Sequence, residues 1–204
     1  QTGTPGRVRY YGCPAEEGGA AKSFMARAGA FDGVDIAITW HPNAFTEVAR
    51  AESLANTRMD FVFHGRSSHA AASPHLGRSA LDAVELMNVG VNYLREHVPQ
   101  DSRIHYAMLD SGGIAPNVVQ ARAAVRYAIR SRDVHAMFEL NERVKKVAQG
   151  AAMMTETTVD ISIMSAVANL LGNRPLEEAM QRNFALLGPC LLYTSDAADE
   201  GLGV

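Results

Sequence analysis

Residues 59–64, MDFVFH, and residues 78–98, RSALDAVELMNVGVNYLREHV, decide the fold of this chain. In the first stretch large apolar residues occupy every second position, Met59, Phe61 and Phe63, which is typical of a half-buried strand. In the second stretch apolar residues recur every three or four positions, and they are Leu81, Val84, Met87, Val91, Leu94 and Val98. This spacing predicts an amphipathic helix of about six turns.

Both patterns are repeated further along the chain. Alternating apolar residues predict strands over residues 104–108, 125–129 and 159–163, and a second apolar stripe predicts a helix over residues 134–153. The resulting order is strand, helix, strand, strand, helix, strand. That order predicts a split βαβ, ferredoxin-like α+β unit.

The residues before and after this unit have different patterns. Strands are predicted over residues 7–12 and 35–40, a helix over residues 19–28, and one more helix over residues 176–187. The first part is typical of a parallel α/β sheet, but about 50 residues alone bury too little apolar surface to fold independently. We therefore expect one α/β domain, residues 1–55 and 166–189, that is interrupted by an inserted α+β domain, residues 56–165.

Composition excludes several classes of function. The 204 residues include 19 Lys and Arg against 22 Asp and Glu, which gives a net charge of −3, and 47% are hydrophobic. A general nucleic-acid binder needs a basic stripe, and none occurs. Cys13 and Cys190 are too few for a disulfide framework. No apolar run approaches the roughly 20 residues that span a bilayer. From the charge and the hydropathy together, we expect neither nucleic acid nor a membrane as a partner.

The two ends of the chain predict a fragment of a longer protein. The chain opens with Gln1 and enters a strand-like run within a dozen residues, so a targeting segment upstream stays an open alternative. Residues 190–204, CLLYTSDAADEGLGV, have no periodicity and resemble the translation of a sequencing adapter. We expect the native sequence to end near Pro189 and the tail to be non-native. An ordinary disordered C-terminus is the alternative.

Acidic and imidazole side chains follow two neighbouring predicted strands. Glu16 and Glu17 lie in the segment CPAEEGG, residues 13–19, after the first predicted strand, and His41 follows the second. Because ligands bind outside the carboxyl ends of the strands in open α/β sheets, these residues are candidates for a catalytic or metal site. Glutamates at a solvated helix N-terminus and a histidine that merely ends a strand are the structural alternatives. Three side chains are too few for a site with two metal ions.

Two segments of the inserted unit supply further candidates. His69 lies among small residues in the segment GRSSHAA, residues 65–71, which suggests a close backbone approach, with another subunit as one candidate for the approaching chain. Asn117 follows the Gly112-Gly113 turn, and Arg130 lies on the polar face of the next predicted strand. An amide and a guanidinium can bind the carbonyl and the carboxylate of a substrate. A helix-entry loop with serine caps and a solvated arginine are the structural alternatives.

Five segments occur in the order found in one family: CPAEEGGAAK at residues 13–22, WHP at 40–42, GRSSHAAASPHLGRSALDAVELM at 65–87, GGIAPNVV at 112–119 and YAIRSRD at 127–133. With them the chain resembles, over residues 7–189, the metal-dependent exopeptidases and amidohydrolases that include aminoacylases, glutamate carboxypeptidases and auxin-conjugate hydrolases. The resemblance implies a catalytic α/β domain with two divalent metal ions, Zn or Mn, and an inserted ferredoxin-like lid that forms dimers. It also implies a cytoplasmic hydrolase that cleaves the amide bond of a small N-acyl amino acid such as a glutamate conjugate.

The same resemblance implies roles for the candidate residues. Glu16 resembles the general base and Glu17 a metal ligand, with His41 as a second ligand. His69 resembles the lid histidine that reaches the active site of the neighbouring subunit and stabilises the oxyanion. Asn117 and Arg130 resemble lid residues that bind the substrate.

The remaining metal ligands of the family have no counterpart in this sequence, because their positions lie before Gln1 and beyond the start of the adapter-like tail. We therefore expect this chain to hold an incomplete metal centre and to be inactive. The expected partner subunit is a second copy or a related chain, bound through the lid domain. A non-catalytic ferredoxin-like module that binds an amino acid or forms dimers is the alternative function.

Overall fold

The computed structural model describes residues 5–16, 19–41, 46–48 and 53–188. The helices and strands along these residues are, in chain order, α1 Ala21–Arg27, β1 Ala55–His64, α2 Ala80–Leu94, β2 Arg103–Asp110, β3 Arg122–Ser131, α3 Val134–Met154, β4 Thr158–Val167 and α4 Arg174–Leu187. From β1 to β4 the order is the strand, helix, strand, strand, helix, strand that periodicity predicts. That part of the prediction is confirmed.

The four strands form one antiparallel sheet in the order β2-β3-β1-β4. The first strand, β1, lies between β3 and β4, and α2 and α3 form the two connections that return the chain across the sheet. This is the split βαβ arrangement of a ferredoxin-like α+β unit.

The core lies between one face of this sheet and the helices α2 and α3. Met59 and Phe61 of β1 are fully buried and lie opposite Tyr127 and Val125 of β3, which are also fully buried. The buried residues of the helices complete the core, and they include Val84, Met87, Val91, Leu140, Val144 and Ala151. Each large apolar side chain buried in this way stabilises the fold by about 1.5–3 kcal/mol.

Side-chain caps fix where the two core helices begin. The Ser79 hydroxyl accepts a hydrogen bond from the Asp82 N–H at 3.0 Å, and the Asp133 carboxylate accepts one from the Ala136 N–H at 2.8 Å. The bond from Ala136 holds the pKa of Asp133 below its usual value. Both caps satisfy N–H groups that have no partner within the first helical turn.

The opposite face of the sheet, called the outer face here, is polar. Asp60 of β1 accepts two hydrogen bonds from the Arg126 guanidinium of β3, with N–O distances of 2.6 and 2.8 Å. The bonds to this carboxylate raise the pKa of Arg126. Arg122 and Arg130 share the face with Arg126, because alternate residues of a strand point to the same side.

The flanking segments differ from the prediction. Residues 7–12 and 35–40 form no strand, so the strands predicted there are wrong, whereas the helix predicted over residues 19–28 is present as α1. The apolar side chains of both segments are largely exposed, from Ile36 at 55% to Val8 at 98%. A strand forms only when a neighbouring strand pairs with its backbone, and no described strand pairs with these residues. An α/β domain interrupted by an insertion therefore stays a prediction.

The chain divides into two compact units, residues 1–32 with 54–168 and residues 33–53 with 169–204. In the first, the Tyr11 hydroxyl donates to the Ala30 carbonyl at 3.0 Å. In the second, the Ser53 hydroxyl accepts a hydrogen bond from the Leu170 N–H at 2.6 Å. Among the described helices, none has the length and apolar character to cross a membrane.

Candidate functional site

The loop that carries His69 is closed by backbone pairing at its base. Arg66 and Arg78 exchange two hydrogen bonds, N–H to carbonyl, at 2.8 and 2.9 Å. Gly65 precedes this bridge, and a Cβ added there would lie 1.9 Å from the Arg78 carbonyl oxygen. The loop therefore requires glycine at its entrance because the two chain segments approach so closely.

The imidazole of His69 is exposed and is held in one orientation by its own loop. Its Nδ1 accepts hydrogen bonds from the Ala71 N–H at 3.2 Å and the Ala72 N–H at 3.1 Å. Because Nδ1 acts as an acceptor, the ring proton of the neutral imidazole lies on Nε2. His69 thus presents an N–H donor outside the hydrogen-bond network of the loop.

Asn117 lies beside His69. The Ala70 N–H donates to the Asn117 carbonyl at 2.9 Å, and His69 forms a backbone bridge with Val118. The Ser67 hydroxyl donates to the Val119 carbonyl at 2.9 Å. These contacts join the two segments, so the structure does bring together two of the residues that the sequence singles out.

Arg130 lies elsewhere. It is the ninth residue of β3, while the segment with Asn117 enters the same strand at Arg122. Eight residues of extended chain span about 26 Å, so a single chain does not place Arg130 beside His69. The Arg130 guanidinium is exposed and makes no hydrogen bond or ion pair with any residue that the structure describes.

Two of the three predicted residues of the metal and base site are described. Glu16 is exposed in the turn before α1, His41 is exposed after residues 35–40, and Glu17 lies outside the described residues. Glu16 belongs to the first unit and His41 to the second. Within the described ranges, no group of three or more His, Cys, Asp or Glu residues could hold a metal ion. A carboxylate and an imidazole suit Zn or Mn chemically, but two donors do not fit a two-metal centre.

Arg103 lies opposite Arg130 in the pairing of β2 with β3, a neighbour that the sequence pattern does not reveal. Alternation places each arginine on the polar face of its own strand. Which residues face each other across two strands depends on the register, which here shifts between Met108 and Asp110. A single strand's pattern does not contain that information.

Comparison with known proteins covers most of the chain. Residues 54–153 match the sequence model of the peptidase dimerisation domain. The chain is 52% identical over 188 residues to the B subunit of the p-aminobenzoyl-glutamate hydrolase of Escherichia coli (strain K12), which covers 92% of this chain and 39% of that protein. It is 31% identical over 185 residues to the Xaa-Arg dipeptidase of Mus musculus, covering 90% of this chain and 42% of that protein. The chain thus spans about two fifths of the length of these relatives.

Solved structures show the same likeness. An aminobenzoyl-glutamate utilization protein from Klebsiella pneumoniae superposes with a TM-score of 0.63 and 25% identity, over 80% of this chain and 43% of that one. A hydantoinase/carbamoylase family amidase from Burkholderia ambifaria superposes with a TM-score of 0.58 over 70% of this chain and 35% of that one. At 14% identity the second likeness concerns the fold alone.

Proposed function

This chain belongs to the family of peptidases that contain the peptidase dimerisation domain, and from that premise we propose that it is part of a hydrolase of the p-aminobenzoyl-glutamate type. The bond cleaved is the amide bond between an acyl group and an amino acid. Support comes from 52% identity to the B subunit of p-aminobenzoyl-glutamate hydrolase over 92% of the chain. The observation that carries the proposal is the His69 ring, which its loop holds with an N–H donor exposed.

His69 acts on the carbonyl oxygen of the scissile amide. When a nucleophile attacks an amide, negative charge develops on that oxygen, and an oriented N–H donor stabilises it. The backbone bonds to Nδ1 orient the ring before the substrate arrives, so no ordering is required during the reaction. Asn117, held beside His69, supplies an amide that binds the substrate next to this carbonyl.

Arg130 binds the carboxylate of the amino acid. A guanidinium with free donors makes paired, charge-assisted hydrogen bonds to a carboxylate. Since about 26 Å of strand separates Arg130 from the His69 loop, both cannot serve one small substrate within a single chain. In the proposed dimer, His69 and Asn117 of one chain belong to the active site of the partner subunit. Arg130 of the same chain belongs to the other of the two sites.

Glu16, Glu17 and His41 keep the roles that the family resemblance implies. Glu16 is proposed as the general base, and Glu17 and His41 as ligands of the two divalent ions, Zn or Mn, of the complete enzyme. Since the described residues do not assemble such a centre, we propose that the 204-residue chain alone does not hydrolyse the substrate. Release of p-aminobenzoate by the purified chain with added Zn or Mn would contradict this.

The partner is proposed to be a second copy of the chain, bound through a surface that we propose to combine Leu86, Val89 and Tyr93 of α2 with Tyr106 and Met108 of β2. Leu86, Val89 and Tyr93 follow one another at helical spacing and are 39%, 49% and 67% exposed, although the other stripe of α2 is buried. Tyr106 and Met108 belong to the core face of β2 but are 42% and 44% exposed. β2 is also an edge strand, with one row of backbone groups unpaired among the described residues.

Equilibrium binding of p-aminobenzoyl-glutamate to the purified chain tests the proposal. Titration followed by NMR should give saturable binding, and Arg130→Gln should weaken it by about tenfold or more because a charged hydrogen-bond donor is lost. Arg143→Gln is the matched control, since Arg143 lies on α3 and bonds to the His97 carbonyl. Equal affinities of R130Q and R143Q would overturn the role of Arg130.

A further inference from the structure

We propose that Arg78 and Glu156 are positioning residues for His69. Neither residue touches the substrate in this arrangement. Their ion pair holds the loop that carries His69, residues 67–77, and thereby keeps the imidazole in the orientation that its reaction requires. The inference rests on the proposed function, because it assumes that His69 donates a hydrogen bond to the carbonyl oxygen of the substrate.

Two arginine side chains hold the last part of this loop, which is a short turn at residues 74–76. The Arg78 Nη1 donates to the carbonyls of His75 and Gly77, at 3.2 and 2.7 Å. The Arg66 Nε donates to the carbonyl between them. Three successive carbonyls therefore accept hydrogen bonds from the two arginines, so the positions of the guanidinium groups fix the position of the turn.

The turn is joined to the segment that orients His69. The Ser73 N–H donates to the His69 carbonyl at 2.9 Å, and the Leu76 N–H donates to the Ser73 carbonyl at 3.2 Å. The Ala71 and Ala72 N–H groups that bind Nδ1 of the imidazole belong to the same short segment. Hydrogen bonds thus connect the turn to His69 and to both groups that fix its ring.

Glu156 holds Arg78 from a different element. Its Oε2 lies 2.8 Å from Nε and 2.8 Å from Nη2 of the Arg78 guanidinium. Glu156 follows the end of α3, and the buried face of α3 belongs to the core. The ion pair therefore ties an exposed loop to a helix that the core holds in place.

The backbone at Glu156 has a conformation that favours glycine. Its φ is 52°, its N–H donates to the Met153 carbonyl at 3.3 Å, and the Thr157 N–H donates to the Ala152 carbonyl at 2.9 Å. These two bonds form the motif in which a left-handed residue, usually glycine, ends a helix. Glutamate is strained in this conformation, and the contact of its carboxylate with Arg78 accounts for a charged side chain here.

Polar contacts, rather than apolar packing, join the loop to the end of α3. A cleft of about 260 Å³ is lined by residues 64–66 and Arg78 on the side of the loop and by residues 156–158 on the other. These described residues include no large apolar side chain. A partly exposed ion pair adds little to the stability of the whole fold, so we expect its effect to be local.

Glu156→Gly separates this local role from a role in global stability. The variant removes the ion pair but places glycine where the backbone favours it. We expect an unchanged or higher urea midpoint, together with hydrogen exchange at the Ala71 and Ala72 amides that is at least about tenfold faster. In ¹⁵N NMR spectra at pH about 8, the neutral His69 ring should show the Nε2–H tautomer in the wild type and a mixture of tautomers in E156G.

Two further variants control for the lost charge. Glu156→Gln keeps an oxygen that accepts a hydrogen bond from Arg78, so it should keep most of the protection of the Ala71 and Ala72 amides. Glu142→Gln is the matched control, because Glu142 is a similarly exposed residue of α3 and forms its ion pair with Lys145 of the same helix. E142Q should change neither the amide exchange nor the tautomer of His69.

Failure of this inference differs from failure of the proposed function. Unchanged amide exchange and a single tautomer in E156G overturn the positioning role and leave His69 as the donor. A lower urea midpoint in E156G shows that Glu156 stabilises the whole fold, which also overturns the positioning role. A mixture of tautomers in the wild type shows that the loop does not orient the His69 ring, and it overturns both proposals.

Discussion

At the scale of single residues, Tyr127 shows how a polar group is accommodated in the core. The side chain is fully buried on β3, its ring meets Phe61 edge to face at 5.6 Å, and its hydroxyl donates to Asn88 Oδ1 at 2.5 Å. Asn88 comes from the buried face of α2, so one hydrogen bond joins the sheet to the helix. Burial raises the pKa of Tyr127 above the usual value of a phenol.

This shift predicts a loss of stability in alkaline solution. Tyrosine in the unfolded chain ionises near pH 10, whereas folded Tyr127 keeps its proton to higher pH. Above about pH 10 the unfolded chain has lost this proton while the folded chain still holds it, so the free energy of unfolding falls by up to about 1.4 kcal/mol per pH unit. Tyr127→Phe removes this contribution, and urea unfolding between pH about 8 and 11 should show a flatter profile.

The same substitution has a second consequence at neutral pH. Without the phenol, Asn88 Oδ1 is buried with no donor, which costs about 1–3 kcal/mol. Tyr10→Phe is the control because Tyr10 is 94% exposed. Identical alkaline profiles for Y127F, Y10F and the wild type would show that Tyr127 does not contribute.

At the scale of elements, periodicity predicts those strands and helices that bury a face within the chain. The alternating patterns around Met59 and Tyr127 form strands as expected, because neighbouring strands and a helix bury those side chains. The patterns around Val8 and Ile36 alternate equally well, but those residues are exposed and form no strand. An alternating pattern indicates side chains that favour burial, and a strand forms only where a neighbouring strand or helix buries them. The pairs at the candidate site, His69 with Val118 and Arg103 with Arg130, depend on register, which one strand's sequence does not contain.

The loop that holds His69 should lose its structure if a side chain is added at Gly65, where the loop begins. In Gly65→Ala the new Cβ would lie 1.9 Å from the Arg78 carbonyl oxygen, so the Arg66–Arg78 bridge must separate. We expect a loss of about 1–3 kcal/mol in the free energy of unfolding, together with a shift of the His69 ring signals in NMR spectra.

Another glycine provides the matched control. Gly150 lies within α3, and a Cβ added there meets no atom within 4 Å. Gly150→Ala should therefore stabilise the chain by about 0.5–1 kcal/mol, because alanine favours a helix. If urea unfolding gives the two variants the same stability, the close approach at Gly65 does not constrain the loop.

At the scale of the whole molecule, the proposed site requires two chains. His69 and Asn117 lie beyond one end of β3, and Arg130 lies near the other end. Each chain therefore presents two halves of a site that its own fold holds apart. The exposed residues of α2 and β2 supply an apolar surface of the kind that joins subunits. Association through an edge strand would also satisfy the unpaired backbone groups of β2.

A charge placed in this surface should abolish the dimer without unfolding the chain. Val89→Glu introduces a carboxylate at the centre of the Leu86–Tyr93 stripe, and burying it without a partner costs several kcal/mol, so the dissociation constant should rise at least about tenfold. Phe138→Glu is the control, because Phe138 is similarly exposed, at 54% against 49% for Val89, but lies on α3. Light scattering should give a dimer for the wild type and F138E and a monomer for V89E, with unchanged circular dichroism. A monomeric wild type at every concentration, or equal behaviour of V89E and F138E, would exclude this surface, and His69 would then have no second active site to enter.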